Sequence, residues 1–79
     1  MKNTQEKIKE MTLMLLYLTS WEENESIAKC RRSWKGYDFD VLNELAEDNF
    51  INDGLRSKSV IINDAGIAAA KKLLNEYDI

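Results

Sequence analysis

The segment from Asp38 to Tyr77 constrains the fold of this chain more than any other part of the sequence. It begins with an amphipathic helical pattern, continues with the dipeptide Asp53-Gly54 ahead of the β-branched run Val60-Ile61-Ile62, and ends with a second amphipathic pattern. An Asp-Gly pair between apolar runs is typical of a β-hairpin. The predicted order of elements in this segment is therefore helix, hairpin, helix.

N-caps and apolar stripes define the two helices that flank the hairpin. Asp38 is predicted to cap the first of them, and Asp40 lies in its first turn, where the helix dipole favours negative charge. Asn63 is predicted to cap the last helix. The predicted buried faces are Phe39, Leu42, Leu45, Ala46 and Phe50 in the first of these helices, and Ile67, Ala70, Leu73, Leu74 and Tyr77 in the last.

The chain is predicted to begin with a helix from about Thr4 to Thr19. One apolar stripe at helical spacing consists of Ile8, Met11, Leu15 and Leu18. Other apolar residues cover most of the remaining circumference, and a helix of this kind must be buried on more than one side. A central core helix is the favoured interpretation, and a homodimer packed through this helix is the alternative, because an uncovered patch this apolar would be a liability.

A second helix is predicted between about Asn24 and Trp34, with a possible start nearer Trp21. Ile27, Cys30 and Trp34 fall on one face of that helix, so Cys30 is expected to be a buried, inert thiol. A short turn, Lys35-Gly36-Tyr37, would follow, with the glycine supplying any left-handed conformation.

Together these elements predict an α+β domain with the order H-H-H-β-β-H, which is the order of a winged helix-turn-helix. The 79 residues are expected to form one domain, 1–79, with a small core. Fourteen acidic and eleven basic residues give a net charge of −3, which provides no bulk attraction for nucleic acid. A single cysteine and the lack of a long apolar run favour a cytoplasmic protein without a membrane segment.

The sequence also resembles known families. The phrases RRSWKGYDFDVLNELAEDNFI and KSVIINDAG are similar to a small bacterial domain-of-unknown-function family with a Trp-Lys-Gly signature before its middle helix. That resemblance implies a winged-helix-like fold and no established activity, and the matching residues are Trp34, Lys35, Gly36, Asp38, Asp40, Leu42, Leu45, Lys58, Ser59, Val60 and Gly66. More loosely, the second half of the chain resembles PadR-like and MarR-like regulators, which implies transcription regulation. Those families usually have glycine where this chain has Asn49, and less acidic recognition helices.

Catalysis is not expected. Without histidine the chain lacks the commonest general base, and one cysteine excludes the usual structural zinc sets. The three glycines, at 36, 54 and 66, do not form a phosphate-binding loop. The sequence therefore predicts no catalytic, metal or cofactor site.

Two classes of binding remain, through protein contacts or through DNA. The favoured interpretation is a protein-interaction module. Such a module is expected to form a homodimer and to bind a protein partner whose identity the sequence does not give. Trp21, Trp34 and Tyr37 would supply aromatic surface, and the predicted interface residues are Met14, Leu15, Leu18, Asn43, Glu44 and Glu47. The alternative is a DNA-binding regulator, whose phosphate contacts would come from Lys29, Arg31, Arg32, Lys35, Arg56 and Lys58. The acidic third helix argues against this alternative, because direct readout of bases relies chiefly on donors.

Overall fold

The computed structural model of the chain describes residues 3–25, 28–53 and 58–78. Over these residues the chain forms three helices and one four-stranded antiparallel sheet, which confirms the predicted α+β class. In chain order the elements are α1 (Thr4–Leu18), β1 (Trp21–Glu25), β2 (Ala28–Trp34), α2 (Phe39–Glu47), β3 (Ile51–Asp53), β4 (Ser59–Ile62) and α3 (Asp64–Glu76).

The prediction of a second helix between Asn24 and Trp34 is wrong, because this segment belongs to the β1–β2 hairpin. Three apolar residues at helical spacing were too weak a pattern to decide the structure. The acidic strand β1 pairs with the basic strand β2, with Glu22 opposite Arg31, and opposite charges across strands stabilise a sheet. The order H-H-H-β-β-H is therefore also wrong, and the described residues contain no helix-turn-helix pair ahead of α2, so a winged helix is not confirmed.

The sheet has the strand order β1-β2-β4-β3, so β2 and β4 are its central strands. In the predicted second hairpin, β3 pairs with β4 and Ile51 lies opposite Ile62. β2 joins the same sheet through pairs that include Ser33 with Val60, a contact between two hairpins separated by a helix. The predicted hairpin is thus confirmed in its strands, while its turn residue Gly54 lies outside the described residues.

One face of the sheet packs against the three helices and forms the core. Ser33, Val60, Ile62 and Ile51 point toward this side and are at most 2% exposed. The core cluster consists of Leu13 and Leu16 of α1, Val41, Leu42 and Leu45 of α2, Ile51 and the β4 residues Val60 and Ile62, and Ala70 of α3.

The prediction of which face of α1 is buried in the core is wrong. The stripe Ile8, Met11, Leu15 and Leu18 is exposed, and the buried residues are Thr12, Leu13, Met14 and Leu16. The helix carries two apolar arcs, and a periodicity alone does not say which arc faces the rest of the domain. The packing of α2 and α3 against α1 makes that choice.

The third predicted helix is confirmed, as α2, with one correction to its buried face. The Asp38 side chain accepts a hydrogen bond from the Asp40 N–H at 2.8 Å, which confirms the predicted N-cap. Phe39 was predicted to be buried and is instead 71% exposed, because Val41 takes the core position in the first turn.

Two backbone positions explain how the chain turns around α2. Asn49 follows the C-cap of α2 and has a φ of 65°, a left-handed conformation that asparagine tolerates better than most residues. Gly36 does not have positive φ, so the turn before α2 requires no left-handed conformation of its glycine.

Asn63 links the start of α3 to the end of α2. Its side-chain oxygen accepts from the Gly66 N–H at 2.8 Å, which confirms the predicted cap, and its amide nitrogen donates to the Asn49 carbonyl. Gly66 itself lies against the Phe50 carbonyl, so the two residues together hold α3 close to the α2–β3 connection.

Replacing Asn63 by alanine is expected to cost about 1–2 kcal/mol, because both the cap and the bond to Asn49 are lost. Asn63→Ser keeps a side-chain oxygen for the cap and removes the amide donor to Asn49, so we expect a smaller loss. Urea unfolding followed by circular dichroism measures both free energies of unfolding. An Asn63→Ser variant as stable as the wild type would contradict a separate contribution from the bond to Asn49, whereas equal losses in the two variants would show that the cap contributes nothing.

Candidate interaction surface

The face of the sheet that points away from the helices carries an aromatic pair. Side chains alternate between the two faces of a strand. Ser33 of β2 is buried on the helix side, so its neighbours Arg32 and Trp34 point to the other face. Trp21 lies opposite Arg32 in the β1–β2 pairing, which places it diagonally next to Trp34. Ile61 occupies the same face on β4. We call Trp21, Arg32, Trp34 and Ile61 the aromatic face.

The two indole rings contact each other directly. Their centroids are 5.0 Å apart and their planes are tilted by 46°. Trp34 nevertheless remains 63% exposed, whereas Trp21 is half-buried. Tilted aromatic pairs at this separation attract each other beyond their burial of area, so the pair holds the exposed indole in a defined position.

Three cationic residues lie near the end of the β2–β4 pair. The Arg32 guanidinium donates to the Ser59 hydroxyl at 3.1 Å. The backbone N–H of Lys35 donates to the Lys58 carbonyl at 3.1 Å, so both lysines lie where the two strands end. Three of the six residues predicted to contact nucleic acid, Arg32, Lys35 and Lys58, are therefore brought to one end of the sheet.

Arg31, another of the predicted contacts, points to the helix side of the sheet. Its guanidinium carbon lies 5.3 Å from the centre of the Tyr17 ring, and its Nε donates to the Ser20 hydroxyl at 2.8 Å. A carboxylate oxygen of Glu22 lies 3.7 Å from Nη1 of Arg31. These contacts connect the β1–β2 hairpin to the end of α1. They give Arg31 a role in the fold that does not depend on a ligand. The remaining predicted contacts, Arg56 and the side chain of Lys29, lie outside the described residues, as do Ile27 and the side chain of Cys30.

The residues predicted for a protein interface are divided between two helices. Leu15 and Leu18 lie exposed on α1, but Met14 is 3% exposed and has no surface to offer a partner. Asn43 and Glu47 lie exposed on α2, and Glu44 is half-buried and accepts from the Gln5 side chain at 3.5 Å. These residues lie on α1 and α2, whereas the aromatic face belongs to β1, β2 and β4.

A groove of about 400 Å³ lies where α1, the end of α2 and α3 meet. Its base is apolar, and its rim is lined by acids and lysines, including an ion pair between Lys9 and Asp48. The Tyr77 hydroxyl donates to Glu10 at 3.4 Å across the same region. Because Lys9 pairs with Asp48, and the apolar lining residues belong to the core or pack against it, the groove is explained as a junction between helices.

The described residues contain no cluster of three or more histidine, cysteine or acidic side chains that could hold a metal ion. Nor does any helix among them combine the length and apolarity needed to cross a membrane.

Fold and surface together define a small α+β domain whose sheet is covered by helices on one face and carries an exposed aromatic pair on the other. The chain belongs to the family described as "Domain of unknown function (DUF6429)", whose model matches residues 4–79. The predicted resemblance to a small domain-of-unknown-function family is thereby confirmed.

One relative is the "Uncharacterized protein y4hR" of the bacterium Sinorhizobium fredii (strain NBRC 101917 / NGR234). It is 32% identical over 74 residues, which cover 92% of this chain and 90% of the relative. No solved structure matches the chain significantly.

Proposed function

We propose that the domain is a non-enzymatic protein-interaction module, and that a partner protein binds to the aromatic face. The single observation that carries this proposal is the 63% exposure of Trp34 on a rigid sheet, in contact with a second tryptophan. An exposed tryptophan costs free energy in water, and burial of one aromatic side chain at an interface contributes a large part of the binding free energy.

The composition of the aromatic face agrees with this proposal. Tryptophan and arginine are enriched among the residues that dominate binding energies, and here Trp21 lies directly opposite Arg32 in the β1–β2 pairing. The Arg32–Ser59 hydrogen bond and the ring contact fix the two side chains before any partner arrives. A surface that is already ordered loses less conformational entropy on binding, which favours affinity.

Nucleic acid is the second candidate ligand for this face. Arg32 lies on the same face as Trp34, and Lys35 and Lys58 occupy the adjoining end of the β2–β4 pair. Nucleic-acid bases stack on exposed aromatic rings near cationic groups. Against this, the chain carries a net charge of −3, and α2 presents the carboxylates Asp40 and Glu47. Duplex recognition through α2 is the least favoured form, because repulsion between its acids and phosphates opposes entry into a groove.

Intrinsic fluorescence tests the choice of ligand, because both tryptophans of the chain belong to the ring pair. We expect no change of emission when single-stranded or duplex oligonucleotides are titrated at low salt. Quenching by single strands that weakens as salt rises, and that is lost in Lys58→Ala, would show that the ligand of this face is nucleic acid and not a protein.

Trp34→Ala is expected to abolish capture of a partner protein while leaving the fold intact, because the side chain is mostly in water. Wild type, Trp34→Ala and Phe39→Ala would be immobilised and their bound proteins from a source-organism extract quantified. Phe39 is the matched control, since it is also exposed and aromatic but lies on α2. A protein retained by wild type and Phe39→Ala, and lost from Trp34→Ala, supports the proposal. Identical captured sets from all three proteins would contradict it.

A further inference from the structure

The α1 helix carries a row of large apolar side chains that the domain does not cover. Ile8, Met11, Leu15 and Leu18 are 44%, 49%, 46% and 54% exposed, and we call these four residues the α1 stripe. Single exposed apolar residues are ordinary on a protein surface, but a contiguous row of this kind marks an interaction site.

The spacing of the α1 stripe identifies the kind of partner. Its intervals of three, four and three residues are those of alternating a and d positions in a heptad repeat. A strict a/d stripe is narrower than the apolar face with which a helix packs on a globular core, and it is typical of a seam between two helices. The spacing of the stripe is therefore that expected for contact with a helix lying alongside α1.

The other helices of the domain already occupy the opposite side of α1. Lys9 pairs with Asp48 at the end of α2, and Glu10 accepts from the hydroxyl of Tyr77, which follows α3. Leu13 and Leu16 enter the core between them. Since successive residues of a helix are about 100° apart, the α1 stripe points away from α2 and α3. No described element of the chain covers it.

We infer that the α1 stripe binds the α1 stripe of a second copy of this chain, so that the protein is a homodimer. All four seam positions are apolar, so a two-fold pairing of α1 with itself creates no like-charge pair within the seam and buries no unpaired polar side chain. The residues that flank the seam in its middle, Thr12 and Met14, are buried in their own domain and present no charge to repel a partner.

The length of the stripe sets the expected affinity. From Ile8 to Leu18 the seam is about 15 Å long, because an α-helix rises about 1.5 Å per residue. Four partly exposed side chains along this length make a contact smaller than a standard interface, which buries about 800 Å² per partner. We therefore expect a reversible dimer with a dissociation constant in the micromolar range.

Sedimentation equilibrium from low micromolar to several hundred micromolar protein tests this inference. The wild type is expected to change from monomer to dimer across that range, whereas Leu15→Glu should stay monomeric throughout. Phe39→Glu is the matched control, because it places the same charge at an exposed apolar position outside the stripe, and it should dimerise like the wild type. A wild type that is monomeric at every concentration, or dimerisation unchanged in Leu15→Glu, would overturn the inference.

Helical circular dichroism of each variant separates loss of dimer from loss of fold. If Leu15→Glu does not fold, Met11→Gln and Leu15→Ser decide the question, since each is expected to raise the dissociation constant at least about tenfold. An unchanged constant in both milder variants would overturn the inference as well. The outcome is independent of the aromatic face, so a monomeric protein would leave the proposed partner-binding function standing.

Discussion

Gly66→Ala is expected to destabilise the domain by about 3 kcal/mol, because the new methyl group has no room. An ideal Cβ at this position would lie 2.1 Å from the Phe50 carbonyl oxygen and 2.9 Å from a methyl carbon of Ile62. The first of these atoms is backbone and cannot rotate away. The α3 helix would have to move from the α2–β3 connection, which would strain the Asn63 hydrogen bonds to Gly66 and Asn49.

Thermal unfolding measures this loss, and in a domain of this size each kcal/mol lowers the melting temperature by about 4–8 °C. Gly36→Ala is the matched control, because a Cβ there meets nothing within 4 Å and the residue has no positive φ. The control should remain within about 0.5 kcal/mol of wild type or be slightly stabilised, as alanine restricts the unfolded chain. Equal effects of the two substitutions would show that the close approach at Gly66 does not limit stability.

Leu16→Ala is expected to cost about 2–5 kcal/mol, whereas Leu15→Ala should cost the monomer less than about 1 kcal/mol. The two leucines are neighbours in the same helix and have the same helix propensity, but Leu16 is 0% exposed and Leu15 is 46% exposed. Truncation of Leu16 leaves a cavity among Leu42, Leu45 and the other core residues, while truncation of Leu15 removes atoms that are half in water.

Urea unfolding at low protein concentration, where any dimer is dissociated, measures the two free energies. This comparison also tests the orientation of α1 directly. If Leu15→Ala proved the more damaging substitution, the arc of α1 that contains Ile8, Met11 and Leu15 would be the buried one, and the assignment of the core would be reversed.

Some of the features on which these predictions depend could be predicted from the sequence, and others could not. The caps Asp38 and Asn63 were predicted correctly because a cap involves a side chain and a backbone N–H only two or three residues away. The hairpin of β3 and β4 was equally accessible, since an Asp-Gly pair before a β-branched run is a local signal. Gly66 was noted only as a residue matching a family, and its close contact with Phe50 involves a partner sixteen positions away.

The aromatic face was anticipated in its residues but not in its geometry. Trp21 and Trp34 were recognised as potential surface aromatics, yet they were placed at the ends of a predicted helix. Their contact depends on the hairpin register, in which Trp21 lies opposite Arg32. The charge pattern was the missed signal, because acidic residues follow Trp21 and basic residues precede Trp34, as expected for two strands that pair.

By itself, then, the sequence determined the features that a few neighbouring residues control: the starts of α1, α2 and α3, the second hairpin and the α+β class. The tertiary structure decided the rest. Pairing with β4 made β2 a strand despite its weak helical periodicity, because strand preference depends on the neighbouring strand more than on the residue. Packing by α2 and α3 decided which apolar arc of α1 became core, and it left the other arc exposed, because a helix with two apolar arcs can bury either one.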